Sequence, residues 1–228
     1  LQYLKHLRST PKHQVYCAHI PFNFSMLCNI GASISRGELL CFMNNDIVVT
    51  HSGWLRELSS LAMQSDIGAA APMLRYPDGR IQHLGIRIDQ SWPQLIGDGW
   101  NIPTSLNDLL RLHAVHEVSA VTGGCLVTRL NVFSAIGGFD ESLPIAYNDV
   151  DYCFSLRKAG YRIVATPHAE LEHKLCASRA DTPKSDRLRN WQNSILYLNN
   201  KWPNHLLNDP FQPEVESSHI SRRLLGLT

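Results

Sequence analysis

A run of five apolar residues, Leu39-Leu40-Cys41-Phe42-Met43, stops abruptly at Asn44-Asn45-Asp46. Unbroken apolarity over that length suits a strand buried on both faces, the kind found in α/β sheets with helices on either side. In an open α/β sheet, ligands bind beyond the carboxyl ends of the strands. The two amides and the carboxylate therefore stand where a ligand would be met. A lone aspartate beside short polar side chains can hold a hard divalent cation and, through it, a diphosphate. The same residues would equally close the strand as a turn, because Asn and Asp hydrogen-bond to their own backbone there. This stretch alone leaves both readings open.

Composition narrows the classes. A chain of 228 residues suits one large α/β domain with a proper core. A net charge of +1, with 18% charged residues, argues against nucleic-acid binding and against a polybasic membrane patch. No apolar run approaches the roughly 20 residues needed to cross a bilayer, and no secretory leader pattern opens the chain. The six cysteines (Cys17, Cys28, Cys41, Cys125, Cys153, Cys176) include no Cys-x-x-Cys pair. That favours reduced thiols in a cytoplasmic protein over a zinc ribbon or disulfide framework. His113-x-x-His116 has helical zinc-ligand spacing but lacks an obvious third ligand.

Strand and helix patterns alternate along the chain. A helix is expected over Asn29 to Arg36, then a strand to Met43, then a helix from Gly53 to Gln64 with Trp54, Leu55, Leu58, Leu61 and Ala62 on an apolar stripe. Ile67–Ala71 is expected as a short strand ended by Pro72. Tyr76-Pro77-Asp78-Gly79-Arg80 is turn chemistry leading into a strand over Ile81–Ile88. Residues 90–113 are expected to be an irregular excursion near the site. A strand over Val118–Val121 runs into Thr122-Gly123-Gly124, where glycines allow close approach of backbone or ligand, or merely relieve crowding. A helix Arg129–Ile136 is capped by Gly137-Gly138. A second helix, Asp149–Ala159, opens at Asn148-Asp149-Val150-Asp151, and Tyr161–Thr166 returns as a strand. Acidic residues at a helix start ordinarily serve as caps. The pattern from Arg187 to Leu198 is amphipathic, with Leu188, Trp191, Ile195 and Leu198 on a face expected to pack on the core.

The order of these pieces carries more than any one of them. Pro21-Phe22-Asn23-Phe24-Ser25, Asn29-x-Gly31, Arg36-Gly37-Glu38 and Asn44-Asn45-Asp46 are followed by Tyr76-Pro77-Asp78-Gly79 and Gln82-His83-x-Gly85. Val121-Thr122-Gly123-Gly124-Cys125, Gly137-Gly138-Phe139-Asp140-Glu141, Asn148-Asp149-Val150-Asp151, Leu156 to Arg162, Glu170-Leu171-Glu172-His173, Lys201-Trp202 and Asp209-Pro210-Phe211 complete the set. In this ordered set the chain resembles the family-2 inverting glycosyltransferases of the GT-A fold, particularly the bacterial rhamnosyltransferase-like members that build O-antigen and other surface polysaccharides. The resemblance runs from Pro21 to about Glu216.

The resemblance implies an α/β GT-A fold, with a mixed, mostly parallel sheet flanked by helices. It implies a nucleoside-diphosphate sugar donor (dTDP or UDP), Mn2+ or Mg2+, and a glycan or lipid-linked acceptor. Asp46 matches the last acidic residue of the family's metal motif, with Asn44 where many members carry an aspartate, and Asn45 and Arg36 are assigned with it to the donor side. His173 matches the histidine that completes the metal site, although Lys174, Leu175 and Cys176 depart from the more polar pattern usual nearby. Asp149 matches the catalytic base. Gly123, Gly124 and Asn148 are assigned to the acceptor, with capping an equal role for Asn148. Asp151 is expected to fix the helix start or pair with a base such as Arg157.

Family members begin with a strand and two βα units that hold the nucleotide base and ribose, and no such pattern precedes Pro21. Residues 1–20 are expected to supply one helix (Leu1–Leu7) and one short strand (Gln14–Ala18) as a remnant of that half. Residues 21–180 then form the metal and acceptor part, and 181–228 a helical extension. The chain, which starts at Leu1 rather than Met, is expected to be a fragment with weak or no activity of its own. Expected partners are the donor and acceptor, without nucleic acid. A peripheral membrane contact through a lipid-linked acceptor and the oligomeric state stay open.

Overall fold

A computed structural model describes residues 2–10, 13–101, 105–174 and 184–211. The sequence expectations at Leu1, Leu175, Cys176 and Glu216 lie outside them. Helix α1 (Gln2–Arg8) is followed by Gln14 to Ala18 without regular structure, where a short strand was expected. Helix α2 (Phe24–Ile34) starts earlier than its apolar pattern suggests. The cause is a cap: the Asn23 side chain accepts the Met26 N–H at 3.0 Å. Strand β1 (Leu39–Met43) forms as expected, but it is not buried on both faces. Leu40 and Phe42 are buried, whereas Cys41 and Met43 are exposed. The turn Asn44-Asn45-Asp46 leads to β2 (Ile47–Val49) and helix α3 (Trp54–Ala62). Helix α3 packs mainly over the strands Ile67–Arg75, Arg162–His173 and Cys125–Arg129 and reaches β1 at Leu39, which leaves the rest of that face of β1 open. Its stripe buries Leu58, Leu61 and Ala62 but leaves Leu55 exposed.

Strand β3 (Ile67–Arg75) runs straight through Pro72 instead of ending there. Proline is tolerated because the register with its neighbour shifts between Pro72 and Met73, so no ladder donor is required at that point. The Tyr76–Arg80 turn connects β3 to β4 (Ile81–His83) as an antiparallel hairpin. Gly85, at φ 108°, then breaks the expected single strand and starts β5 (Ile86–Asp89). Its partner is β6 (Trp92–Leu95), inside the stretch expected to be irregular, which also holds helix α4 (Leu106–Arg111). Strand β7 (His116–Glu117) is shorter and earlier than the expected Val118–Val121. Those four residues instead run buried beneath the β5–β6 hairpin, with one bridge from Ala120 to Ile86.

Strand β8 (Cys125–Arg129) precedes helix α5 (Leu130–Ile136), which closes on Gly137 at φ 91°. Helix α6 (Asn148–Lys158), strand β9 (Arg162–His173), helix α7 (Lys184–Lys201) and helix α8 (Pro203–Leu207) complete the chain. The main sheet has the order β1-β8-β3-β9-β2, with β4 added on β3 and β7 on β9. It is mixed, but the balance is not mostly parallel. β3 and β9 are parallel; the other pairings are antiparallel. Strands joined by a tight turn, such as β3 and β4, must run antiparallel, and a parallel pair needs a long crossover.

Alternate residues of β3 feed two cores. Ala69, Ala71 and Met73 join Phe42, Phe133, Phe139 and Tyr152 beneath α2, α5 and α6. Ala70 and Leu74 join Leu58, Val127, Val164 and Leu171 beneath α3. The first core is aromatic: Phe139 sits 4.9 Å from Phe42 and 5.2 Å from Tyr152, centroid to centroid. Asn29 ties α2 to it, donating to Phe139 O at 2.9 Å and accepting the Phe139 N–H at 2.9 Å. Two separated sequence pieces, Asn29 and Gly138-Phe139, are thus one contact. On α7, Ile195 and Leu198 are buried, but Leu188 and Trp191 are exposed, so only half of its expected stripe is core.

One geometric consequence places the site. β1 and β2 stand at opposite ends of the strand order, yet only Asn44-Asn45-Asp46 joins them. Four interstrand steps in a flat sheet would need about 19 Å, and the connecting chain reaches about 14 Å at most. The sheet therefore curls until its ends approach at that turn.

Candidate active site

Two backbone hydrogen bonds pin the turn. Asn44 N–H donates to Gly124 O at 2.9 Å, and Lys174 N–H donates to Asp46 O at 3.0 Å. The β2–β9 register sets Ile47 opposite His173, which brings the Asp46 and His173 side chains together. Asp46 Oδ1 lies 3.1 Å from His173 Nε2, and the two side chains are 10% and 12% exposed. The strand expected to end at Thr166 runs on to His173 and so delivers this residue.

Gln82 fixes the imidazole. Its Oε1 lies 2.6 Å from His173 Nδ1, while its amide nitrogen donates to His173 O at 3.5 Å. An amide oxygen only accepts, so Nδ1 carries a proton, and a neutral ring then turns the Nε2 lone pair toward the Asp46 carboxylate. Two acceptors facing one another at hydrogen-bond distance are reconciled by a second proton or by a cation. This is the orientation in which a ligating histidine is held through its other nitrogen. Asn44 and the exposed Asn45 add short amides beside Asp46. Among the described residues no three His, Cys, Asp or Glu side chains converge to hold a metal ion. Asp46 and His173 could supply two ligands to a hard cation whose remaining shell came from water and phosphate oxygens.

Asp149 stands at the start of α6. Its Oδ2 accepts the Gly123 N–H at 2.8 Å, and its Oδ1 accepts the Val150 N–H at 2.9 Å. Asn148 is buried and turned inward. Its side-chain oxygen accepts the Asp149 N–H at 2.8 Å, and its amide donates to Leu143 O at 3.4 Å, so it supports the helix start. A Cβ added at Gly123 would lie 3.5 Å from Asp149 Cβ, and one at Gly124 would lie 3.7 Å from His173 Cε1. These are ordinary contact distances, so the glycines are not required for room. They leave a strip free of side chains between Asp149 on one side and the Asp46–His173 pair on the other.

Beneath that strip lies His83, a fully buried residue. Its Nδ1 donates to Pro72 O at 3.3 Å, and its Nε2 accepts the N–H groups of Gly85 and Thr122, each at 3.2 Å. Burial holds its pKa down, to about 4. Sequence reasoning gave no role to Gln82 or His83. The available signal was two adjacent polar residues within an apolar strand, since buried polar groups are the informative exceptions.

One expected site residue is not brought here, and another expected pairing is made with a different base. Arg36 is exposed at the entry end of β1, whereas Asp46 follows its exit. The five residues of β1, at about 3.3 Å each, separate them. Arg36 instead lines a different cavity of about 480 Å³ with Tyr16, Leu27 and Ile34. Asp151 stays out of the site and pairs with a base, as expected, but that base is Lys201 and not Arg157. It accepts from Trp202 Nε1 at 2.6 Å and from Lys201 Nζ at 2.8 Å, whereas Arg157 donates to Ser119 Oγ at 3.1 Å. Trp202, on the turn between α7 and α8, reaches the buried carboxylate first.

Against known proteins, no family model matches the chain. It is 37% identical over 191 residues to the uncharacterized protein y4gI of Sinorhizobium fredii, covering 83% of this chain and 21% of that protein. It is 34% identical over 171 residues to the O-antigen biosynthesis protein RfbC of Myxococcus xanthus, covering 73% of this chain and 13% of RfbC. Over 138 residues it is 30% identical to an N-acetylglucosaminyl-diphospho-decaprenol L-rhamnosyltransferase of Mycobacterium tuberculosis, covering 58% of this chain and 45% of that enzyme. The chain thus spans a minor part of each of these relatives. Among solved structures, GalNAc-T7 with UDP, GalNAc and Mn2+ superposes at a TM-score of 0.63 with 14% identity, over 90% of this chain and 39% of that one. The fold is therefore α/β and GT-A-like, with a mixed sheet flanked by helices. By sequence, the chain is a distant relative of rhamnosyltransferase and O-antigen biosynthesis proteins. Among the described residues no helix is long and apolar enough to cross a membrane.

Proposed function

We propose that this chain is the metal- and acceptor-handling part of an inverting family-2 glycosyltransferase of surface-polysaccharide synthesis. It moves a sugar from a dTDP- or UDP-linked donor to a glycan or lipid-linked acceptor at the cytoplasmic face of a membrane. The observation that carries this reading is the Gly123-Gly124 strip, flanked by Asp149 on one side and by Asp46 and His173 on the other.

Asp149 takes the proton from the acceptor hydroxyl as that oxygen attacks the anomeric carbon. The bond from that carbon to the diphosphate oxygen breaks in the same step, so the configuration inverts. Gly123 N–H holds Asp149 Oδ2 in place, and Asn148 holds the backbone at the start of α6. Asp46 and His173, the latter oriented by Gln82, would hold Mn2+ or Mg2+, and such an ion would supply positive charge opposite the departing nucleoside diphosphate.

Calorimetric titration of UDP and dTDP, with and without Mn2+, into this chain and into the full-length gene product tests the reading. Metal-dependent binding that is lost in Asp46→Asn and in His173→Ala is the expected outcome. Folded protein that binds neither nucleotide in either form would refute it, in favour of a non-catalytic scaffold.

A further inference from the structure

The β5–β6 hairpin turns one face to the core and the other outward. Ile86 and Ile88 are buried, at 5% and 3% exposure. The register pairs Arg87 with Gln94 and Asp89 with Trp92, which sets these four side chains together on the opposite face. Trp92 is 40% exposed and stacks on Trp191 of α7, itself 39% exposed, with centroids 5.2 Å apart and planes at 14°. Trp191 in turn lies 6.4 Å from Tyr147, the residue that precedes Asn148-Asp149. A continuous aromatic wall therefore runs from the hairpin to the base candidate.

Backbone strain gathers on the same wall. Among the described residues, the non-glycine positions with left-handed φ are Gln90 at 48°, Ser91 at 66° and Tyr147 at 61°. Gln90 and Ser91 form the hairpin turn, where Asn-Gly would adopt such angles with least strain. Each such residue costs roughly 1–2 kcal/mol, and strain of this kind collects at ligand sites. At Gln90-Ser91 it presents Trp92; at Tyr147 it presents the tyrosine ring. The far end of the wall is polar. Arg87, Gln94, Leu95, Asp98 and Trp100 line a cavity of about 420 Å³, and among the described residues Arg87 Nε is a buried donor with no hydrogen-bond partner.

We propose that this wall binds the acceptor glycan. Pyranose rings lay their C–H faces on Trp92 and Trp191, and hydroxyl groups meet Tyr147 at one end and Arg87 and Gln94 at the other. Exposed indoles offer a rigid apolar face with a polar edge, which matches a sugar better than a charged peptide or a lipid tail. The assignment deepens the transferase reading and rests on it, because adjacency to Asp149 makes the bound sugar an acceptor rather than a donor.

The test uses the whole chain with a panel of methyl pyranosides and soluble oligosaccharides built from rhamnose and N-acetylglucosamine. Tryptophan emission and saturation transfer from aromatic protons report binding. At least one saccharide is expected to bind saturably. Trp92→Ala and Trp191→Ala each weaken it tenfold or more, and the corresponding Phe variants restore part of it, which separates contact from loss of fold. Equal binding by both alanine variants, or no binding by any saccharide, overturns the proposal. If the nucleotide titrations fail while this pattern holds, the wall stands as a saccharide site and the transfer reaction falls.

Discussion

Lowering the pH from 8 to 5 is expected to cost this fold about 2 kcal/mol through His83 alone, given its folded and unfolded pKa values. Burial holds the folded pKa near 4, with the donor bond to Pro72 O opposing and the charges of His116 and His173 adding to the depression. The unfolded value is about 6.5. Between those values the unfolded chain carries a proton that the folded chain refuses, so stability falls as the pH falls. At about 1.36 kcal/mol per pH unit, the full gap reaches about 3 kcal/mol below pH 4, and about 2 kcal/mol of it is felt at pH 5. The structure gives the cause. Nε2 accepts two backbone N–H groups, and a proton there would break both. One of them belongs to Thr122, so acid would also loosen the segment that hands Gly123 to Asp149.

Urea unfolding followed by circular dichroism at pH 8 and pH 5 measures the effect, in the wild type and in His83→Gln. A slope near 2 kcal/mol per molar converts the loss to a midpoint shift of about 1 M. The glutamine oxygen can still accept but does not titrate, so the variant should lose that share of the acid dependence. His116, whose pKa burial also lowers, contributes to both proteins and cancels in the difference. Equal acid sensitivity in the two, or an imidazole resonance of His83 titrating above pH 6, would falsify the reasoning.

Two further outcomes follow from particular contacts. Asp149→Asn should lower transfer by about 10²–10⁴-fold while leaving metal-dependent nucleotide binding unchanged, measured by radiolabelled-sugar transfer alongside calorimetry. An unchanged rate would leave Asp149 as a helix cap. Trp202→Phe keeps the ring but removes the donor to Asp151, whose side chain is 3% exposed. It should destabilise the chain by about 1–3 kcal/mol in urea, and a change below about 0.3 kcal/mol would show that Lys201 alone satisfies the carboxylate.

Local chemistry was legible wherever one segment decided the outcome. The apolar run of β1, the glycine stop after α5 and the acidic start of α6 are written in neighbouring residues. What the chain concealed lies between segments. No local pattern shows that Ile47 will face His173, and hence that Asp46 will meet it, because that register belongs to strands remote in sequence. Strand β8 was overlooked because Cys125 to Arg129 follow two glycines and run directly into a helix. The β5–β6 hairpin escaped notice for a sharper reason. Its turn is Gln90-Ser91, which carries none of the glycine or asparagine that marks a hairpin in sequence. That Asp151 would pair with a base was legible, but which base was not: Arg157 is near in sequence, whereas Lys201 and Trp202 are near in space.

The contact between Asp46 and His173 spans 127 residues of chain. Closing a loop of that length in a free chain costs about 4 kcal/mol of entropy, and the polar pair itself returns little of it. The two residues can meet only once β2 has paired with β9, so the site belongs to the late, non-local steps of folding that slow a chain most. In refolding, local helices such as α3 and α6 should be in place while the site is still open. A ligand that bridges Asp46 and His173 would therefore act as a clasp on a structure already built, and not as a seed for building it.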